Sequence, residues 1–291
     1  MTKIAVATVE KAGNSPLVAS DNAAAYDLLF DAAGIGMQNV RAEDMAIPFL
    51  AVIQSNSPQR KKQDGSYIPG ADEGMVFNTV TQELFDITPG QNSLEVILCG
   101  FKKKLLHWRD RDQGGGMLGQ YEIDDPIQKD AERKGGRAVL PDGTYLVETA
   151  EHYVLVVYPD KTVKRAVVAM SSTQLKKSCR WMTMISEKQL RHPTTGRYFT
   201  APMFAYTYTL TTQAEHNDSG DWHGWRIAEG RGLNLVDPDD RALFELAQAF
   251  AKSVDKNDVQ TSSNRGDDLP PAGTSSSAKS SYNAADDEIP F

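Results

Sequence analysis

Leu94-Glu95-Val96-Ile97-Leu98-Cys99-Gly100-Phe101-Lys102-Lys103-Lys104-Leu105-Leu106 is the stretch on which the fold turns. Leu94, Val96 and Leu98 alternate with their neighbours, which marks a strand with one face toward a core. From here the pattern runs strand, strand, strand, helix, strand, strand. The strands fall at 94–106, 145–158, 162–170, 203–213 and 225–230, with the helix at 172–187. Pro141-Asp142-Gly143 and Pro159-Asp160-Lys161 supply turns between them.

Five strands with a helix between the third and fourth follow the order of an OB-fold, a small β-barrel. The fold class expected is therefore mainly β, an elaborated OB-fold-like barrel with two or three helices. Strands at 47–54 and 75–80 would elaborate it, and Gln59–Gly65 would form a basic turn or hairpin tip. Residues 20–33 read as a short helix capped by Ser20 or Asp21, with Tyr26, Leu29 and Phe30 on its buried side. In the helix at 172–187, Ser171 and Gln174 make a capping box, and Leu175, Cys179, Met182 and Ile185 form the core face. Asp237 caps a last helix, Pro238 takes its first turn, and Leu243, Ala247, Phe250 and Val254 pack inward. Residues 1–19 read as a loose arm, 20–254 as the folded domain, and 255–291 as a disordered acidic tail.

The net charge of −8 hides its distribution. Residues 100–200 hold 18 Lys and Arg against 12 Asp and Glu, a net of +6, while 1–99 carry a net of −6. A basic centre between acidic ends is compatible with a polyanionic ligand. No apolar run is long enough to span a bilayer, and the first residues are too short an apolar run for a signal peptide. Cys99 and Cys179 lie far apart and read as reduced, buried thiols of a cytoplasmic protein. His216 and His223 have no partner at metal-like spacing, so no metal and no cofactor are expected.

The basic centre contains Lys102, Lys103, Lys104, Trp108, Arg109 and Arg111, followed by Gly114-Gly115-Gly116 and Gly119. Cations around a ring, beside backbone without Cβ atoms, are what a channel for a single strand uses: charge meets phosphate and the ring stacks on a base. Lys176, Lys177 and Arg180 beside Trp181 extend this set or form a solvated helix face. Tyr121, Tyr206 and Tyr208 complete the stacking candidates. The stripe Phe204, Tyr206, Tyr208, Leu210 either stacks bases or is core, according to which way it faces. Asp110, Asp112, Glu122, Asp124 and Asp125 offer a rival reading as Mg²⁺ ligands of a nuclease, although Arg109 and Arg111 interleave with the first pair.

The chain ends in Asp286-Asp287-Glu288-Ile289-Pro290-Phe291. An aromatic ring and a terminal carboxylate on one residue suit an apolar pocket rimmed by cations. This end resembles the acidic tip of bacterial single-stranded DNA-binding proteins. The resemblance implies that Asp286, Asp287, Glu288, Ile289, Pro290 and Phe291 recruit replication and repair proteins rather than hold DNA. A flexible tether of about 30 residues would let the tip reach roughly 30 Å from the body. Ser55-Asn56-Ser57-Pro58-Gln59 and the stretch Trp108 to Gly116 resemble the single-stranded DNA-binding proteins of bacteriophages. The expected function is non-enzymatic binding of single-stranded DNA in replication, recombination or repair, in a bacterial host cell if the chain is phage-encoded. The rivals are a phage particle or assembly protein and a metal-dependent nuclease.

Overall fold

The computed structural model describes residues 23–40, 45–134, 137–217, 220–256, 259 and 261. The chain forms two compact units, 1–44 and 45–291. The first contains one described helix, α1 (Ala23–Asp31). Tyr26, Leu29 and Phe30 are exposed on it, so the expected buried side is not found. Ser20, Asp21, the arm at 1–19 and the tip Asp286–Phe291 lie outside the described residues.

The second unit is mainly β. Its strands are β1 (Phe49–Val52), β2 (Val76–Asn78), β3 (Leu84–Phe85), β4 (Leu94–Trp108), β5 (Met117–Glu122), β6 (Glu132–Lys134) and β7 (Arg137–Val139). They continue with β8 (Tyr145–Val157), β9 (Val163–Ser171), β10 (Gln189–Arg191), β11 (Tyr198–Thr200), β12 (Tyr206–Asn217) and β13 (Gly220–Gly232). Two helices, α2 (Leu175–Ser186) and α3 (Pro238–Asp255), complete it. No helix among the described residues is long and apolar enough to cross a membrane.

The main path through the large sheet runs β13-β12-β4-β8-β9-β1-β2-β3. Counting β4, β8, β9, β12 and β13 as first to fifth, the neighbours are fifth, fourth, first, second, third. That is an OB-fold barrel opened between its third and fifth strands. β1 fills the opening. It pairs parallel with β9 and antiparallel with β2. Across the seam the Gln54 side chain donates to the His223 carbonyl and accepts from the His223 N–H, both at 2.8 Å. Thr212 adds a hydroxyl bond to the Gly74 carbonyl at 2.6 Å. The seam is thus closed by side chains where no strand ladder reaches.

Alternation along β4 produces two cores. Leu94, Val96 and Leu98 face inward with Val154, Val156, Tyr208, Leu210 and Trp225. α2 caps this interior with Trp181 and Ile185. On the outer face, Ile97, Cys99, Tyr153, Leu155 and Val167 lie under Leu243, Ala247, Phe250 and Val254 of α3. Burying a side chain such as Phe250 stabilises by about 1.5–3 kcal/mol. Asp237 caps α3 by accepting from the Asp239 N–H at 2.9 Å, as the sequence predicts. The β4–β8 register shifts between Leu98 and Gly100. Gly100 then lies beneath α3, where a Cβ would come within 2.6 Å of Val254.

Several local expectations change. The buried residues of α2 are Ser178, Trp181 and Ile185, while Cys179 is exposed. Helical spacing alone admits neighbouring stripes, and the largest side chain took the interior. Ser171 and Gln174 form no capping box. The Gln174 Oε1 instead accepts from the Trp225 N–H at 3.0 Å, which ties α2 to β13. Residues 203–205 form a 3-10 turn rather than strand. Arg60 heads no hairpin tip and pairs with Asp72 and Glu73 at 3.1 and 3.5 Å. The polar segment 124–137, which reads from its composition as irregular or weakly helical, holds a 3-10 turn at Pro126–Asp130, contributes β6 and begins β7.

Candidate nucleic-acid interface

Beyond α3 the outer face of the sheet continues along the second half of β4. Continuous β4–β8 pairing from Phe101↔His152 to Trp108↔Tyr145 puts Lys102, Lys104, Leu106 and Trp108 on one face. Tyr145 and Tyr153 of β8 share it. The Lys102 ammonium lies over the Tyr153 ring, 5.6 Å from its centroid. Burial, more than the neighbouring Lys104, lowers the pKa of Lys102. At the far end Trp108 is half-buried, and the guanidinium of Arg137 lies 4.8 Å from the centroid of Tyr145. The face therefore carries a cation–ring pair at each end, Lys102 with Tyr153 and Arg137 with Tyr145.

The loop joining β4 to β5 is ordered by its own backbone. The Arg109 N–H donates to the Gly116 carbonyl at 3.0 Å, and the Gly115 N–H to the Asp110 carbonyl at 2.9 Å. Gly114, Gly115 and Gly116 have φ of 99°, 66° and 98°. Three successive left-handed residues strongly favour glycine. Asp110 lies 3.5 Å from Arg137, which fastens the loop to β7. Arg109 remains exposed. Arg111 opens a 3-10 turn, Arg111–Gln113. Behind the loop the His107 Nε2 is 2.6 Å from the Thr144 hydroxyl, which donates to Asp142 at 2.5 Å. Those hydroxyl and backbone bonds from Thr144 hold the Asp142 carboxyl below the usual carboxylate range.

The structure separates the sequence candidates. Lys104 is buried and pairs with Glu151 at 3.1 Å, with Gln120 at 3.3 Å. It is a lattice charge of the sheet, and its position as a free phosphate contact is corrected. Lys103 points to the opposite face and pairs with Glu148 at 2.7 Å; that bond raises its pKa. Trp181 and Tyr208 are fully buried and meet edge to face, with centroids 5.6 Å apart. They are barrel core and cannot stack on a base. Tyr206 is half-buried beneath the Lys188 ammonium, 5.2 Å from its centroid. Tyr121 is half-buried on the other face, packed with Leu105, Leu140 and Leu146 and 5.9 Å from His107. Lys177 pairs with Glu215, while Lys176 and Arg180 are exposed on α2. Trp108 and Arg109 thus stay at the end of β4, joined there by Arg137 and Tyr145, while Lys102 shares their face six residues back beside Tyr153. Sequence reading passed over Arg137 and Tyr145. Arg137 closes a polar segment that reads as irregular or weakly helical, and Tyr145 reads as an ordinary strand start.

The expected strand residue His152 is a hub of the interior. Its ring stacks on Trp181 at 4.8 Å and 15°, its Nδ1 is 3.1 Å from the Val168 carbonyl, and Ser178 reaches its Nε2 at 3.1 Å. Burial lowers its pKa to about 4, so the ring is neutral, donating to Val168 and accepting from Ser178. Burial also pushes the Cys99 thiol up to about 12. Among the described residues no group of three or more His, Cys, Asp or Glu gathers as metal ligands. Of the nuclease candidates, Asp125 accepts from the Ile127 N–H at 2.9 Å and Asp110 holds the loop.

An OB-ordered barrel with a helix across its outer face and a basic-aromatic rim defines the structural class. Residues 18–260 match the Pam3 phage gp34-like protein family, and the chain belongs to that phage-related family. No curated protein and no solved structure matches it significantly.

Proposed function

We propose that the chain binds single-stranded DNA with little sequence preference, in phage replication, recombination or repair, and recruits partners through Asp286–Phe291. The observation that carries this reading is the rim. Trp108, Arg109, Arg137 and Tyr145 lie where the first connection of an OB barrel leaves the sheet, and Lys102 lies on the same face nearer α3. OB barrels bind oligonucleotides on the face of their second and third strands and on the adjoining loops. α3 covers part of that face here, so the strand would run along the uncovered part and its glycine loop. Rings that stack on any base favour single strands over duplex and give little base preference. Phosphate contacts make the affinity salt-dependent.

The test is binding of fluorescent oligo-dT and of an equal-length duplex across a salt series. The intact chain is compared with one truncated after Ala285. Tight oligo-dT binding with a negative salt slope, weak duplex binding, and equal or stronger binding after truncation are expected. Absence of oligo-dT binding by both forms at low salt would sink the reading and turn attention to a particle or assembly role. A duplex preference would sink the single-strand assignment.

A further inference from the structure

We propose that the β10–β11 hairpin is a second arm for the same single strand, with Tyr198 stacking on a base and Arg191 meeting a flanking phosphate. The inference rests on the single-strand reading above and adds a site to it. The hairpin is inserted between α2 and β12 and forms a sheet of its own. Ala201 N–H closes its base on the Lys188 carbonyl at 2.7 Å. At its tip His192 and Arg197 bond through their backbones at 2.9 Å, Gly196 turns with φ 68°, and the His192 ring accepts the Thr194 and Thr195 N–H groups at 3.2 Å. The arm is ordered by these bonds while every residue of both strands is exposed.

Three features point to the occupant. The first is charge. No Asp or Glu occurs between Glu187 and Glu215, a run that contains Lys188, Arg191 and Arg197. Lys188 at the base pairs with Glu229 at 2.7 Å, but no described carboxylate pairs with Arg191 or Arg197. The second is the ring. Tyr198 is 70% exposed, and pairing of Arg191 with Tyr198 sets both on one face of the hairpin. The Arg191 guanidinium lies 5.9 Å from the ring centroid while its Nε donates to the Gly196 carbonyl at 3.2 Å. Ring and cation are thereby set before a ligand arrives, which reduces the entropy lost on binding. The third is the division of the arm. Leu190 and Phe199 pair on the opposite face, so Tyr198 and the cation form a separate surface. A ligand that offers repeated anions and open π-faces is an unpaired nucleic-acid strand; a duplex hides those faces.

The experiment uses the full chain with fluorescent oligo-dT. Tyr198→Ala should weaken binding roughly tenfold, within the range of one lost base stack, while Tyr198→Phe keeps near-native affinity. Arg191→Ala should flatten the salt slope by about 0.7, the value of one lost phosphate contact. Thermal melting should stay near that of the parent, because the replaced side chains are exposed. Tyr198→Trp supplies an independent signal: its emission should be quenched by oligo-dT and not by duplex. Parent-like affinity and salt slope in all these variants, with no quenching, would overturn the arm and leave the rim reading intact. If the parent chain itself binds no oligo-dT, both readings fall together.

Discussion

The two basic runs of this chain, Lys102 to Lys104 and Lys188 to Arg197, each hold three cations and no carboxylate, and they differ in the fold. In the first, the register of β4 against β8 sets Glu148 and Glu151 within reach of Lys103 and Lys104, at 2.7 and 3.1 Å. In the second, Glu229 takes only the innermost lysine, and the outer arginines lie on an arm with no carboxylate of its own. Cross-strand pairing thus neutralises Lys103 and Lys104 and leaves Arg191 without a carboxylate partner among the described residues. Three measurements would break or sharpen that contrast.

The largest effect should come from Glu151→Ala. Glu151 is fully buried, accepts from the Tyr153 hydroxyl at 2.8 Å and holds Lys104. Removing one member of a buried pair strands the other, at about 3 kcal/mol or more of stability. Urea unfolding that moved by less than about 1 kcal/mol would show that Lys104 is not neutralised by Glu151.

Next comes acid. Register also gives His152 its partners, and its folded pKa of about 4 lies below the ordinary value of 6.5. Above pH 6.5 both states are neutral and the full contribution is present. As pH falls, the unfolded chain takes up a proton that the folded chain refuses, and stability is lost until the folded pKa is reached. The interval of 6.5 to about 4 corresponds to about 3 kcal/mol. His152→Gln, followed by denaturant unfolding from pH 7 to pH 4, should remove that slope; a slope equal to the parent's would refute the assignment to this ring.

The smallest effect is expected at Lys103→Ala. Its pair with Glu148 leaves both side chains more than a third exposed, at 36% and 40%. Such pairs contribute about 0–1 kcal/mol. Stability should change by no more than about 1 kcal/mol, and oligo-dT affinity less than for Arg191→Ala. A larger loss of affinity at Lys103 would reverse the ranking of the two runs.

Much of the architecture was legible. The alternation at Leu94, Val96 and Leu98, the turn at Pro141-Asp142-Gly143 and the cap at Asp237 are local signals, and each stands where expected. The candidate interface was less so. Trp181 and Tyr208 carry the same rings whether they face DNA or core, and only the third dimension decides it. β10 and β11 are three residues each, too short for a periodic signal, although Pro193 to Gly196 between Arg191 and Arg197 marks a turn among cations. Arg137 reaches Tyr145 across a strand pair that polar composition concealed.

The seam at Gln54 carries a consequence for how the chain is made. The clasp joins residues 169 positions apart. A ribosome adding roughly 5–20 residues per second needs about ten to thirty seconds to supply His223 after Gln54 has been made. Until β9 is made β1 and β2 are a nascent hairpin with an open edge, and Phe49 waits longer still, for α3 to cover it. The strand that closes the barrel is thus synthesised first and finished last, and the newborn chain is most prone to pair with the wrong neighbour during that interval.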